Sequence, residues 1–103
     1  MTTDTDTIVD KKIKTKERVK EPSKYKVIIC NDDTTSVEFV IAMLMTVFKH
    51  SESSALKLTL DVHNNGKAVA GIYSFEVAEQ KAADGITMAR LNGYQLIIKV
   101  EPE

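Results

Sequence analysis

The run Tyr25-Lys26-Val27-Ile28-Ile29-Cys30-Asn31-Asp32-Asp33-Thr34-Thr35-Ser36-Val37-Glu38-Phe39 changes character twice. Its opening is β-branched and bounded by polar residues, the composition of a strand. Asn31-Asp32-Asp33-Thr34 follows, and each of these side chains can bond nearby backbone donors, which favours a turn. Thr35-Ser36-Val37-Glu38 then reads as a capping box, with Thr35 as N-cap and Glu38 reaching back to it. Behind it Val37, Val40, Ile41, Leu44 and Phe48 recur at helical spacing as one apolar stripe, and the helix is expected to end near His50.

Working outward, a second helix opens at Ser51 or Ser53, with Glu52 placed favourably near the positive end of its dipole. Ala55, Leu58 and Val62 make one stripe on it, and Leu56, Leu60 and His63 a neighbouring one. Asn64-Asn65-Gly66 is a stop signal, with Gly66 suited to a left-handed position. Residues 67–73 read as a strand, in which Gly71 marks a bulge or a close contact. Ser74 can cap a third helix over residues 75–91, whose small face of Ala78, Ala82, Gly85 and Ala89 allows close packing. After Asn92-Gly93, Leu96, Ile98 and Val100 alternate with polar residues as a half-buried edge strand. The order βααβαβ predicts an α+β two-layer sandwich, a three-stranded antiparallel sheet with three helices on one face.

The chain of 103 residues has room for one core only. Residues 24–103 form the expected domain, preceded by a disordered extension over residues 1–23. That extension has no aromatic residue, and its lysines and acids alternate, so it cannot bury enough surface to offset the entropy of ordering. Lys11-Lys12-Ile13-Lys14 is a basic patch within it, read as part of a soluble tail because acids are interspersed. A net charge of -1 gives no footprint for general nucleic-acid binding. The polar, acidic start argues against a signal peptide, and no apolar run nears the roughly 18 residues of a membrane span. The cytoplasm is the expected compartment. Cys30, the single cysteine, sits beside Val27, Ile28 and Ile29 and is expected to be a buried small hydrophobe.

Two polar clusters stand out beyond scaffolding: Asn31-Asp32-Asp33 after the first strand, and Asp61-Val62-His63 at the end of the second helix. An acid-base or metal site would need more ligands at fixed spacing than Asp32, Asp33 and His63 supply. Serine elbow, phosphate loop and cysteine-nucleophile motifs are missing too, so no catalytic residue, metal or cofactor is expected. Val37 and Val40 lie one turn into the first helix, and Thr59 and Val62 line the last turns of the second. If the helices pack, acceptors rim an apolar hole.

Tyr25 to Asp33, Glu38-Phe39-Val40, Val62-His63, Gly66-Lys67-Ala68 and Phe75-Glu76-Val77-Ala78-Glu79 followed by Lys81 resemble, in order and spacing, the signature of the ClpS family. The resemblance spans residues 24–101. It implies a non-enzymatic, monomeric adaptor that recognises N-degrons, proteins beginning with Leu, Phe, Tyr or Trp, and hands them to a ClpA-type unfoldase of the ClpP protease. By the same resemblance Asn31, Asp32 and His63 match the ligands of the α-amino group. Thr35, Val37, Val40, Thr59, Val62 and Leu96 match the side-chain pocket, and Glu76 and Lys81 match contacts to the unfoldase's N-terminal domain. The variable tail would help commit substrate to the unfoldase.

Such a site has plain physics. A free α-ammonium is a cation with three donors and needs acceptors, which a carboxylate, an amide oxygen and a neutral imidazole supply. The apolar hole adds roughly 1.5–3 kcal/mol for burying a large side chain. Internal hydrophobic residues lack the charge, and polar first residues cannot fill the hole. The chain departs from the family where methionine is common: Val37 and Thr59 stand in those places, so an altered first-residue selectivity is expected. The competing reading is a ribosomal-stalk-like C-terminal domain, which shares the general fold and binds translation factors through a helix face. It gives no role to Asn31 or His63.

Overall fold

The computed structural model describes residues 23–103, so the expected extension lies, except for Ser23, outside the described residues. The elements are β1 (Lys24–Cys30), α1 (Val37–Thr46), α2 (Glu52–Asn65), β2 (Lys67–Ser74), α3 (Phe75–Leu91) and β3 (Ile97–Pro102). They follow the expected order. The sheet runs β2-β1-β3 and both pairings are antiparallel, which makes the β-branched β1 the central strand. Val27 and Ile29 of β1 enter the core with Met43 and Leu44 of α1 and Ala55 of α2, while Ala78, Ala82 and Ala89 seat α3 on the sheet. The small face of α3 is required there: a Cβ at Gly85 would stand 2.7 Å from Ile98 Cδ1.

The bulge expected around Gly71 is present. Val27 pairs with Gly71 but Ile28 pairs with Val69, so Ala70 is the extra residue. Its carbonyl accepts from His50 Nε2, and His50 Nδ1 then accepts from the Ser54 hydroxyl at 3.1 Å. One imidazole thus ties the α1–α2 connection to the sheet.

Several local expectations are corrected. Ser36, not Thr35, is the N-cap of α1, its Oγ accepting from Phe39 N at 3.1 Å. Thr35 turns its hydroxyl to Asp32 instead. Helix α1 stops at Thr46 rather than near His50, because the chain reverses through Lys49 at φ 62°. Phe39 and Met43 join the buried stripe, whereas Val37 is 47% exposed. On α2 the stripe of Leu56 and Leu60 faces solvent, and Thr59 is buried in line with Ala55 and Val62. Cys30 is half-buried, since it alternates with Ile29 and so falls on the face away from the core. Ser74 occupies the N-cap position of α3 without making a side-chain capping bond.

Candidate functional site

The two polar clusters noted in the sequence are joined by one backbone contact. Gly66 ends α2 at φ 88°, donating its N–H to Val62 O at 2.9 Å, and its own carbonyl accepts from Asn31 N at 2.8 Å. That bond docks the loop after β1 against the end of α2 that carries Val62 and His63.

Within the loop, Thr35 N donates to Asp32 O at 3.2 Å and closes a turn. One carboxylate oxygen of Asp32, Oδ2, accepts from both the Thr34 hydroxyl at 2.7 Å and the Thr35 hydroxyl at 2.6 Å. Those two donors, Thr35 first, hold the Asp32 carboxyl below its usual range and keep it ionised. Oδ1 takes neither of these hydroxyl bonds. The charge is oriented by its own loop.

Behind the loop lies a cavity of about 330 Å³. Asn31, Asp32, Asp33 and His63 line it, with Thr35, Ser36 and Val37 from the start of α1, and Val40, Thr59, Val62 and Leu96. All the residues matched to amine and side-chain binding therefore border one hole. Val40, Thr59, Val62 and Leu96 are buried and form its apolar depth, while half-exposed Val37 stands at its mouth. The Thr59 hydroxyl donates to Ala55 O of its own helix at 2.8 Å, so it is already satisfied. His63 is exposed in the last turn of α2. Asp33 and Ser36 also line the cavity, though neither is among the residues matched to amine or side-chain binding. The acid run pointed to Asp33, and assigning the N-cap one residue later would have found Ser36.

Glu76 and Lys81 stand elsewhere. Glu76 is exposed in the first turn of α3, flanked by exposed Phe75 and Val77. Lys81 is half-buried: its Nζ donates to Val47 O at 2.9 Å and lies 5.8 Å from the centroid of the Tyr73 ring. Among the described residues no group of three or more His, Cys, Asp or Glu could hold a metal ion, and no helix is long and apolar enough to cross a membrane.

The family model for the ATP-dependent Clp protease adaptor protein ClpS matches residues 20–99. The ATP-dependent Clp protease adapter protein ClpS of Clostridium acetobutylicum is 43% identical over 90 residues, covering 87% of this chain and 89% of that protein. The protein of the same name from Myxococcus xanthus is 43% identical over 88 residues, covering 85% of this chain and 82% of that protein. Among solved structures, Agrobacterium tumefaciens ClpS2 bound to L-phenylalaninamide superposes with a TM-score of 0.78 at 35% identity, over 81% of this chain and 100% of that one.

Proposed function

The chain belongs to the ClpS family of ATP-dependent Clp protease adaptor proteins, and we propose that it captures proteins by a large hydrophobic N-terminal residue with a free α-amine and delivers them to a ClpA-type unfoldase. One observation carries this reading: an ionised carboxylate, its orientation fixed by two hydroxyls, borders the same cavity whose depth is apolar. Asp32 supplies charge to the ammonium, the Asn31 amide oxygen a second acceptor and the His63 imidazole a third. Val40, Val62 and Leu96 receive the side chain. The ligand of the Agrobacterium structure, a free amine beside a benzyl group, has the chemistry such a site would select.

Glu76, with Phe75 and Val77 exposed on either side of it, and Lys81, half-buried against Val47 O, are the proposed contacts to the unfoldase. The capture half is tested by titrating a Leu-initiated peptide and its N-acetylated twin. Binding of the first and collapse with the second is expected. Equal binding of both would refute amine capture and favour the helix-face recognition of a stalk-like domain.

A further inference from the structure

A second cavity, of about 390 Å³, opens where the end of α3 meets the start of β3. Its walls are Ile86, Tyr94, Ile97 and Ile98, with Arg90 and Gln95 as the polar groups, and Leu96. Leu96 also lines the first cavity, so the two share a wall. They are joined a second time through Tyr94, whose hydroxyl donates to Ser36 Oγ at 3.2 Å. Ser36 caps α1 and borders the first cavity, and the Tyr94 ring packs against Phe39 at 5.1 Å between centroids.

The chemistry of this second cavity is one cation and one amide among walls that are largely apolar. Arg90 is exposed and makes no ion pair among the described residues. Ile97 is 52% exposed although it opens a strand. An exposed branched side chain beside a guanidinium with no ion pair among the described residues complements a carboxylate next to an apolar group. We infer that this cavity holds an acidic-apolar stretch of the captured protein's own chain, some residues after the one seated in the first cavity. The inference rests on the capture reading, and it adds a second requirement to the substrate: an Asp or Glu beside a large apolar residue downstream of the terminus.

Two physical points fix the form of that requirement. Asp32 and Asp33 line the first cavity, so an acid directly after residue one meets like charge and is disfavoured. The favourable acid therefore lies farther along, within reach of Arg90. Because both contacts belong to one chain, the second forms intramolecularly, and a contact too weak to hold a free peptide still adds to the whole.

The test uses the full chain and fluorescence anisotropy with Leu-initiated peptides whose tails are Gly/Ser, Gly/Ser carrying Glu-Phe, or Gly/Ser carrying Lys-Phe. The dipeptide is set after spacers of three, five and seven residues. At one spacing or more, the Glu-Phe peptide is expected to bind roughly fivefold tighter than the plain tail, the scale of one well-placed charge pair. Arg90→Gln erases that gain while leaving the plain tail's affinity as it was, and Arg90→Glu transfers the preference to Lys-Phe. No gain at any spacing, or a gain that survives Arg90→Gln, overturns the second site while plain-tail binding keeps the capture reading intact. Failure of every Leu-initiated peptide to bind overturns both.

Discussion

Replacing Lys81 with Met should unsettle the fold before it touches any partner, and the size of that effect follows from three contacts. The Lys81 ammonium donates to Val47 O, the carbonyl of the residue that caps α1. A bond from a charged donor contributes about 1.5–3 kcal/mol, toward the lower end here because the side chain is only half-buried. A cation at a helix C-terminus adds about 0.3–1 kcal/mol, and one standing over a ring at an exposed site about 0.5–1 kcal/mol. Met keeps the apolar stem but supplies no donor, and water can reach part of the vacated carbonyl. The net loss is then about 1.5–2 kcal/mol, which for a domain of this size lowers Tm by roughly 6–16 °C. Thermal and urea denaturation of the wild type, Lys81→Met and Lys81→Arg would measure it, with Arg retaining most of the stability. A Met variant that melts within 2 °C of wild type, on the scale of about 4–8 °C per kcal/mol, would refute the structural role. Any loss of unfoldase binding would then belong to the contact itself. Glu76→Ala is the cleaner probe of that surface, since Glu76 is exposed in the first turn.

Three further outcomes are expected. In calorimetry with a Leu-initiated peptide, Val40→Ala shortens an apolar wall and costs about tenfold in affinity, while Asp32→Ala costs more; equal losses would make the acidic rim incidental. Asp32 titrates below its ordinary value of 3.8 when folded, so its contribution is complete above that value and fades only as the pH falls through the lowered one. Thr35→Val removes the stronger of its two hydroxyl donors, and the acid midpoint of peptide binding should move upward; an unmoved midpoint would deny the hydroxyl its part. For selectivity, β-branched Val37 at the mouth should admit Ile- and Val-initiated peptides, and Val37→Met should reject them by a margin of about 1–3 kcal/mol, read from a first-residue series. Rejection already present in the wild type would end the open-mouth explanation.

Element order and type were legible because each stretch carried its own period. The β-branched run of β1, the small face of α3 and the alternation of β3 each point to one structure. The errors lie where neighbouring residues compete for one role. Thr35 and Ser36 are both good N-caps, and Asp32 decides between them by accepting the Thr35 hydroxyl, a choice only the folded loop reveals. The end of α1 was hidden for a similar reason. Its apolar spacing continues to Phe48, which is buried, yet Phe48 enters the core from a turn and not from the helix. On α2 two stripes were visible, but which one faces the core depends on how α2 sits against α1 and β2. The apolar stripes left out polar Thr59, which joins the buried face with its hydroxyl satisfied within its own helix.

The candidate site was legible in its parts and not in its closure. The family signature brought Asn31, Asp32, His63 and the apolar positions onto one reading, while spacing alone left them on separate elements. Their convergence depends on Gly66, which reverses the chain after α2 at φ 88° and turns its carbonyl toward Asn31 N. No Cβ would clash there, so the need for glycine is one of backbone conformation alone. A side chain forced into that region costs roughly 1–2 kcal/mol, and relief by relaxing the turn would loosen the Asn31 bond. The acidic loop and the α2 terminus would then lose their fixed spacing, although every residue lining the cavity remained. Under the proposed capture, a polar rim and an apolar hole would select a chain terminus only while held at the distance between an α-amine and its own side chain, and that distance is set by a residue that bonds to both Asn31 and Val62 without lining the cavity itself.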